Sequence, residues 1–191
     1  MSEDPAKKFK RIGIVGAGNM GTMMSFGFAE QGVDVSLWDI KPENVDQALD
    51  MVKKQDNIKD KVHGFHDIHE FTKSLDDAPR KVFLFSITHG WPADSVLEKI
   101  RDDLKEGDII VDGGNEHYRN TERRQKELEK KGVKWIGTGV SGGYQVRSNR
   151  VFSVAQADTA GPVGKTRPQH VSRRRQTSRR RSTASPSKVR R

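Results

Sequence analysis

The chain has 191 residues, enough for one ordinary domain with a core of its own and little more. It holds no cysteine, which excludes disulfides, thiolate metal sites and cysteine nucleophiles and fits a reducing compartment. The net charge of +9 is unevenly spread: residues 146–191 hold 13 of the 35 Lys+Arg and one of the 26 acids, Asp158, leaving 22 bases against 25 acids, a net of −3, in residues 1–145, so no basic face for nucleic acid is indicated there.

The first ten residues, MSEDPAKKFK, are polar and lack the apolar core of a secretory leader. They read as a flexible N-terminus. No run approaches the roughly 20 apolar residues of a membrane span, so the expectation is a soluble, cytoplasmic protein without a membrane partner. RIGIV (11–15) is a short β-branched run ending at glycine, the pattern of a buried parallel strand. NMGTMMSFGFAEQG follows with apolar residues at helical spacing and stops at Gly32. VDVSLW (33–38) reads as a second strand, PENVDQALDMVKKQ (42–55) as a second helix, KVHGF as a weak third strand and DIHEFTKSL as a short helix. KVFLFSI (81–87) is a strong strand, PADSVLEKIRDDL (92–104) a helix, and 108–112 a strand. TERRQKELEKKG (121–132) is a charged helix closed by glycine, and VKWIGTG (133–139) a sixth strand. The alternating signs of the 121–131 helix predict a solvated face. Strand–helix alternation with short loops predicts an α/β fold, a parallel sheet covered on both faces with right-handed crossovers.

GIVGAGNMG carries Gly16-x-Gly18-x-x-Gly21 directly after the first strand and opens the first helix. In that context the spacing points to a dinucleotide: Gly16 for the tight turn, Gly18 for close approach of a pyrophosphate, Gly21 for helix–strand packing. The helix N-terminus adds unpaired N–H groups and the positive end of its dipole. Asp39 closes the second strand 18 residues after Gly21, where a carboxylate accepts both ribose hydroxyls of NAD and repels the 2′-phosphate of NADP. Lys41, two residues on, is placed to bind that phosphate instead. A turn or capping role for Asp39 is compatible with either. Three more loops follow strands on the same edge: THGWP (88–92), DGGNEHY (112–118) and VSGGYQ (140–145). Ser141-Gly142-Gly143 presents a hydroxyl and bare N–H groups suited to a carboxylate or polyol, and the loops together predict a binding site.

GDIIVDGGNEHYRNTERRQKELEKKGVKWIGTGVSGG and GAGNMG resemble the N-terminal domain of the 6-phosphogluconate dehydrogenase family, in the β-hydroxyacid dehydrogenase superfamily, and the likeness covers about residues 11–145. The resemblance implies a Rossmann-type doubly wound sheet. It also implies oxidation of a small sugar-acid phosphate, 6-phosphogluconate, with hydride transfer to NADP and then decarboxylation. By motif match, Asn115, Ser141, Gly142 and Gly143 would contact substrate. Gly16, Ala17, Gly18, Asn19, Met20, Gly21, Asp39, Lys41, Ile87, Thr88, His89 and Asn115 would contact cofactor. Three departures stand out. Asp39-Ile40-Lys41 replaces the family's Asn-Arg-Thr, whose arginine binds the 2′-phosphate, so Asp39 argues for NAD where the family implies NADP. Ile87-Thr88-His89-Gly90 replaces Val-Lys-Ala-Gly. After VSGG the family continues into a helical domain bearing a lysine base, a glutamate acid and most of a homodimer interface.

Residues 146–191 hold no glutamate and no lysine followed three residues on by His-Asn, so no catalytic pair is expected to be retained, and turnover is not expected of this chain. That Arg/Ser-rich stretch, with few large apolar residues, reads as disordered. Gln145-Val146-Arg147 can be written CAG-GTA-AGA, the usual look of an exon end followed by an intron start, and the reading is translation into an unspliced intron or a shifted frame. The rival reading is a non-enzymatic nucleotide-binding protein whose SRRRQTSRRR segment (172–181) binds nucleic acid or another polyanion. His63, His66 and His69 have tempting metal spacing but straddle a strand–helix junction, so no metal is expected.

Overall fold

A computed structural model describes residues 10–140. The elements are β1 (Arg11–Val15), α1 (Asn19–Glu30), β2 (Asp34–Trp38), α2 (Pro42–Val52), β3 (Val62–Phe65), α3 (Ile68–Lys73), β4 (Val82–Phe85), α4 (Trp91–Ile100), β5 (Ile109–Asp112), α5 (Tyr118–Glu129) and β6 (Lys134–Gly137). All six strands pair in parallel in the order β3-β2-β1-β4-β5-β6. This is the doubly wound α/β arrangement, whose strand order reverses between β1 and β4 and whose ligand crevice lies at the carboxyl ends there.

The sheet buries both faces, and the period-2 alternation of each strand sorts side chains between two cores. Ile12, Ile14, Val35, Leu37 and Leu84 pack with Met24, Phe26 and Val45 on one face. Val15, Trp38, Phe83, Phe85 and Ile110 pack with Phe71, Leu75 and Ile100 on the other. Edge-on contacts join Phe85 to Trp135 at 5.5 Å between ring centroids.

Several boundaries move, the helix expected over 92–104 ending at Ile100, and two of the moves have a visible cause. The helix expected from Thr121 starts at Tyr118, because the His117 side chain caps it by accepting from the Arg119 N–H. Thr121 is buried instead, facing Gly137. The helix expected over 42–55 ends at Val52, where the Lys53 N–H still reaches the Leu49 carbonyl before the chain turns. The solvated face expected of the 121–131 helix is also incomplete. Thr121, Arg124 and Leu128 form its buried stripe, and the Arg124 side chain is fully inaccessible. The flexible N-terminus expected for residues 1–10 and the tail expected from 146 fall outside the described residues, apart from Lys10. No helix among the described residues is long and apolar enough to cross a membrane.

Candidate functional site

The glycine loop is fitted to its neighbours by backbone contacts. Gly16 has φ 102°, and its N–H donates to the Trp38 carbonyl at 2.7 Å, tying the exits of β1 and β2 together. A Cβ on Gly16 would overlap the Ser86 carbonyl, and one on Gly21 would overlap the Gly16 carbonyl. Those two glycines are demanded by the fold. Gly18 is not: a Cβ there would meet nothing within 4 Å. The open room over Gly18, at the start of α1, is what close approach of a pyrophosphate requires.

The first turn of α1, with Asn19 exposed and Met20 half-buried, has neither an acidic residue nor a capping side chain. Each of the other four described helices has one or the other. Its orphan N–H groups and dipole therefore face the space over Gly18 uncompensated, the arrangement that binds phosphate. Loop and helix are also stitched together: the Thr22 hydroxyl donates to the Ala17 carbonyl at 3.0 Å.

Asp39 is nearly buried and already engaged. One carboxylate oxygen accepts from the Ala17 N–H at 2.7 Å and the other from the Lys41 N–H at 2.9 Å. It braces the glycine loop from β2, and each oxygen keeps further acceptor capacity for a ribose hydroxyl. Lys41 is exposed at the N-cap of α2, and its side chain makes no ion pair among the described residues.

The next two strand exits interlock. Ile87 packs on the second core, while Thr88 and His89 are exposed. A Cβ on Gly114 would stand 2.8 Å from the Ile87 carbonyl. Asn115 is the one non-glycine residue among the described residues with positive φ, 55°. Its amide pairs with the backbone of Val140, Oδ1 accepting from the N–H at 3.0 Å and Nδ2 donating to the carbonyl at 3.2 Å. Asn115 thus holds the chain at the threshold of Ser141. Ser141, Gly142 and Gly143 themselves lie outside the described residues.

The sequence reading missed a buried charge cluster behind these loops. Arg124 donates through Nε and Nη2 to the two oxygens of Asp94, each at 2.9 Å, through Nη1 to Glu116 at 2.8 Å, and through Nη2 to the Gly90 carbonyl at 2.8 Å. Its guanidinium lies over Trp135, 5.4 Å from the ring centroid. The 121–124–128 spacing was the available signal, since it puts Arg124 on one face with Leu128. Burial pushes the Glu116 carboxyl up, but hydrogen bonds from Arg124, Asn120 and the Gly90 and His117 N–H groups outweigh it and hold it at about 2. Hydrogen bonding to Arg124 lowers Asp94. Asp112 goes the other way. Burial raises it despite the Gly114 N–H, and Arg124 Nη1, 3.8 Å from Oδ2, is too far for a hydrogen bond.

A lowered carboxylate contributes stability above its unfolded pKa and loses it as pH falls through the folded one. Glu116→Gln is therefore expected to remove part of the acid sensitivity of unfolding between about pH 4.5 and 2. Urea melts across that range check this; parallel acid limbs in both proteins would contradict it.

The three histidines separate. His63 is exposed on β3, His66 pairs with Asp46 at 2.9 Å and His69 with Asp103 at 2.8 Å. No group of three possible metal ligands occurs among the described residues.

Comparison with known proteins agrees with this geometry. Residues 11–159 match the model of the NAD binding domain of 6-phosphogluconate dehydrogenase. The chain is 63% identical over 127 residues to the decarboxylating 6-phosphogluconate dehydrogenase of Emericella nidulans, covering 66% of this chain and 25% of that protein. It is 38% identical over 135 residues to the NAD(+)-dependent enzyme of Bacillus subtilis, covering 71% of this chain and 27% of that protein. Among solved structures, the Plasmodium falciparum 6-phosphogluconate dehydrogenase superposes with TM-score 0.64 at 28% identity, over 72% of this chain and 28% of that one; it was solved apo and in complexes with its cofactor NADP+ and its substrate 6-phosphogluconate. The chain thus spans about a quarter of the length of the relatives it matches. On the strength of the glycine loop, the strand order and these matches, the chain belongs to the 6-phosphogluconate dehydrogenase family, a family of decarboxylating oxidoreductases, and comprises its NAD(P)-binding domain.

Proposed function

We propose that this chain binds a nicotinamide dinucleotide as the cofactor half of a 6-phosphogluconate dehydrogenase, with NAD preferred over NADP. The observation that carries the reading is the uncapped N-terminus of α1 facing open room over Gly18, with Asp39 bracing the loop beside it. Gly18, Asn19 and Met20 would receive the pyrophosphate. The fixed charge of Asp39 would accept the ribose hydroxyls and oppose a 2′-phosphate, and exposed Lys41 would make NADP tolerable rather than preferred. Asn115 and the 141–143 loop would meet the sugar acid. The chemistry such a dinucleotide supplies is hydride acceptance from the substrate's C3 carbinol.

The proton transfers that accompany oxidation and decarboxylation each contribute roughly 10²–10⁴-fold. No lysine–glutamate pair of the family's pattern stands in residues 146–191, and these 191 residues are proposed to bind without turnover; the whole enzyme would work as a homodimer on 6-phosphogluconate. Titration calorimetry with NAD+ and NADP+ tests the binding. The expected result is saturable binding of both, tighter for NAD+, with the order reversed in Asp39→Ser. Absence of binding by either overturns the reading, and absorbance growth at 340 nm with 6-phosphogluconate overturns the lack of turnover.

A further inference from the structure

We infer that Glu116 and Arg124 are positioning residues that lock the β4–α4 loop to the β5–α5 loop, so that Thr88-His89-Gly90 and Asn115 form one preformed surface. The inference rests on the proposed function only in naming a dinucleotide as what that surface receives.

Gly90 is gripped on both sides of its α-carbon. Its N–H donates to Glu116 Oε2 at 2.6 Å, and its carbonyl accepts from Arg124 Nη2 at 2.8 Å. It sits at φ 86° and ψ −139°, a conformation open to glycine and rarely adopted by other residues. The same guanidinium holds both oxygens of Asp94 in the first turn of α4, so loop and helix start are clamped as one piece. Glu116 follows Asn115, whose amide grips Val140. Hydrogen bonds at either end of the Asn115–Glu116 peptide link therefore connect the loop after β4 to the exit of β6. The Glu116 side chain is 3% exposed and that of Arg124 fully buried, so water cannot readily replace either partner. Neither residue reaches the open space over the glycine loop through any contact seen, so each acts through Gly90 and Asn115.

The test compares the wild-type 191-residue chain with Glu116→Ala, Glu116→Asp, Glu116→Gln and Asn120→Ala. Asn120→Ala removes another donor to Glu116 without touching Gly90. Glu116→Asp keeps a charge for Arg124 but shortens the reach to Gly90, and it carries the test should the alanine variant fail to fold. Two quantities are read: hydrogen exchange of the Gly90 amide by nitrogen-15 NMR without ligand, and the Kd for NAD+. In Glu116→Ala and Glu116→Asp, exchange at Gly90 is expected to rise by on the order of 10-fold or more, and Kd to rise by on the order of 10-fold, the size of one lost charge-assisted hydrogen bond. Glu116→Gln keeps one acceptor but turns its amide N–H2 toward donors, so it is expected to fall between wild type and Glu116→Ala in both, while Asn120→Ala is expected to stay near wild type in both. Unchanged exchange at Gly90 overturns the locking. Faster exchange with unchanged Kd overturns the role toward the cofactor and leaves a purely structural clamp. A wild-type chain that binds neither dinucleotide overturns the proposed function and the cofactor half of this inference, while exchange at Gly90 still decides the locking.

Discussion

Arg124→Met is expected to lower the unfolding free energy by about 3–5 kcal/mol, the cost of breaking a buried ion pair from one side. The substitution roughly keeps the volume and leaves Glu116, 3% exposed, without a guanidinium, while Asp94, 22% exposed, keeps only that of Arg123. It also strips the Gly90 carbonyl of its donor. Burying an unpaired carboxylate is far more costly than losing the pair outright. The penalty therefore has a pH signature. As pH falls and the Glu116 carboxyl, stripped of its guanidinium, takes up a proton, the gap between Arg124→Met and wild type is expected to narrow, because Arg124 holds the wild-type carboxyls lower than their remaining partners do in the variant. Urea unfolding at neutral pH and near pH 3 measures both; a gap that is small at neutral pH, or that widens in acid, would show the cluster to be a bystander.

Gly21→Ala and Gly18→Ala are expected to fail in different ways. A methyl on Gly21 overlaps the Gly16 carbonyl, and neither backbone can yield without moving the turn or the helix. Overpacking of this kind costs about 1–3 kcal/mol, and more where nothing shifts. Gly21→Ala is therefore expected to lower stability and dinucleotide binding together. A methyl on Gly18 meets nothing, so Gly18→Ala is expected to melt with the wild type. Yet that methyl occupies the room reserved for the pyrophosphate. Loss of one or two phosphate hydrogen bonds there should weaken binding by roughly 10- to 100-fold. Thermal midpoints and calorimetric Kd values for the two variants separate the roles. Binding by Gly18→Ala equal to wild type would place the phosphates elsewhere.

Most of the architecture was legible in the sequence because each strand carries its own period and each connection is short. RIGIV and KVFLFSI are predominantly apolar, as strands covered on both faces are, VDVSLW alternates, and Gly32 and Gly132 end their helices with positive φ. The glycine loop was legible because its spacing states a backbone requirement. What escaped was set by neighbours distant in sequence. The start of α5 depended on a histidine cap that competes with a nearby threonine. The dual duty of Asp39 depended on how close β2 brings it to Ala17.

Arg124 marks the division most clearly. By itself the sequence determined an α/β domain of alternating strands and helices, a phosphate-receiving turn at Gly16 to Gly21, an acid at the end of the second strand and the family likeness that follows from them. All of these are local patterns, readable because secondary-structure period and turn chemistry act over a few residues. Only the tertiary structure decided that one arginine on a charged helix is buried, that Glu116 reaches across 26 residues to the Gly90 N–H, and that Asn115 clasps Val140. Burial and pairing of charges are properties of the packed sheet, since the desolvation that makes them consequential exists only once the strands bring those loops side by side.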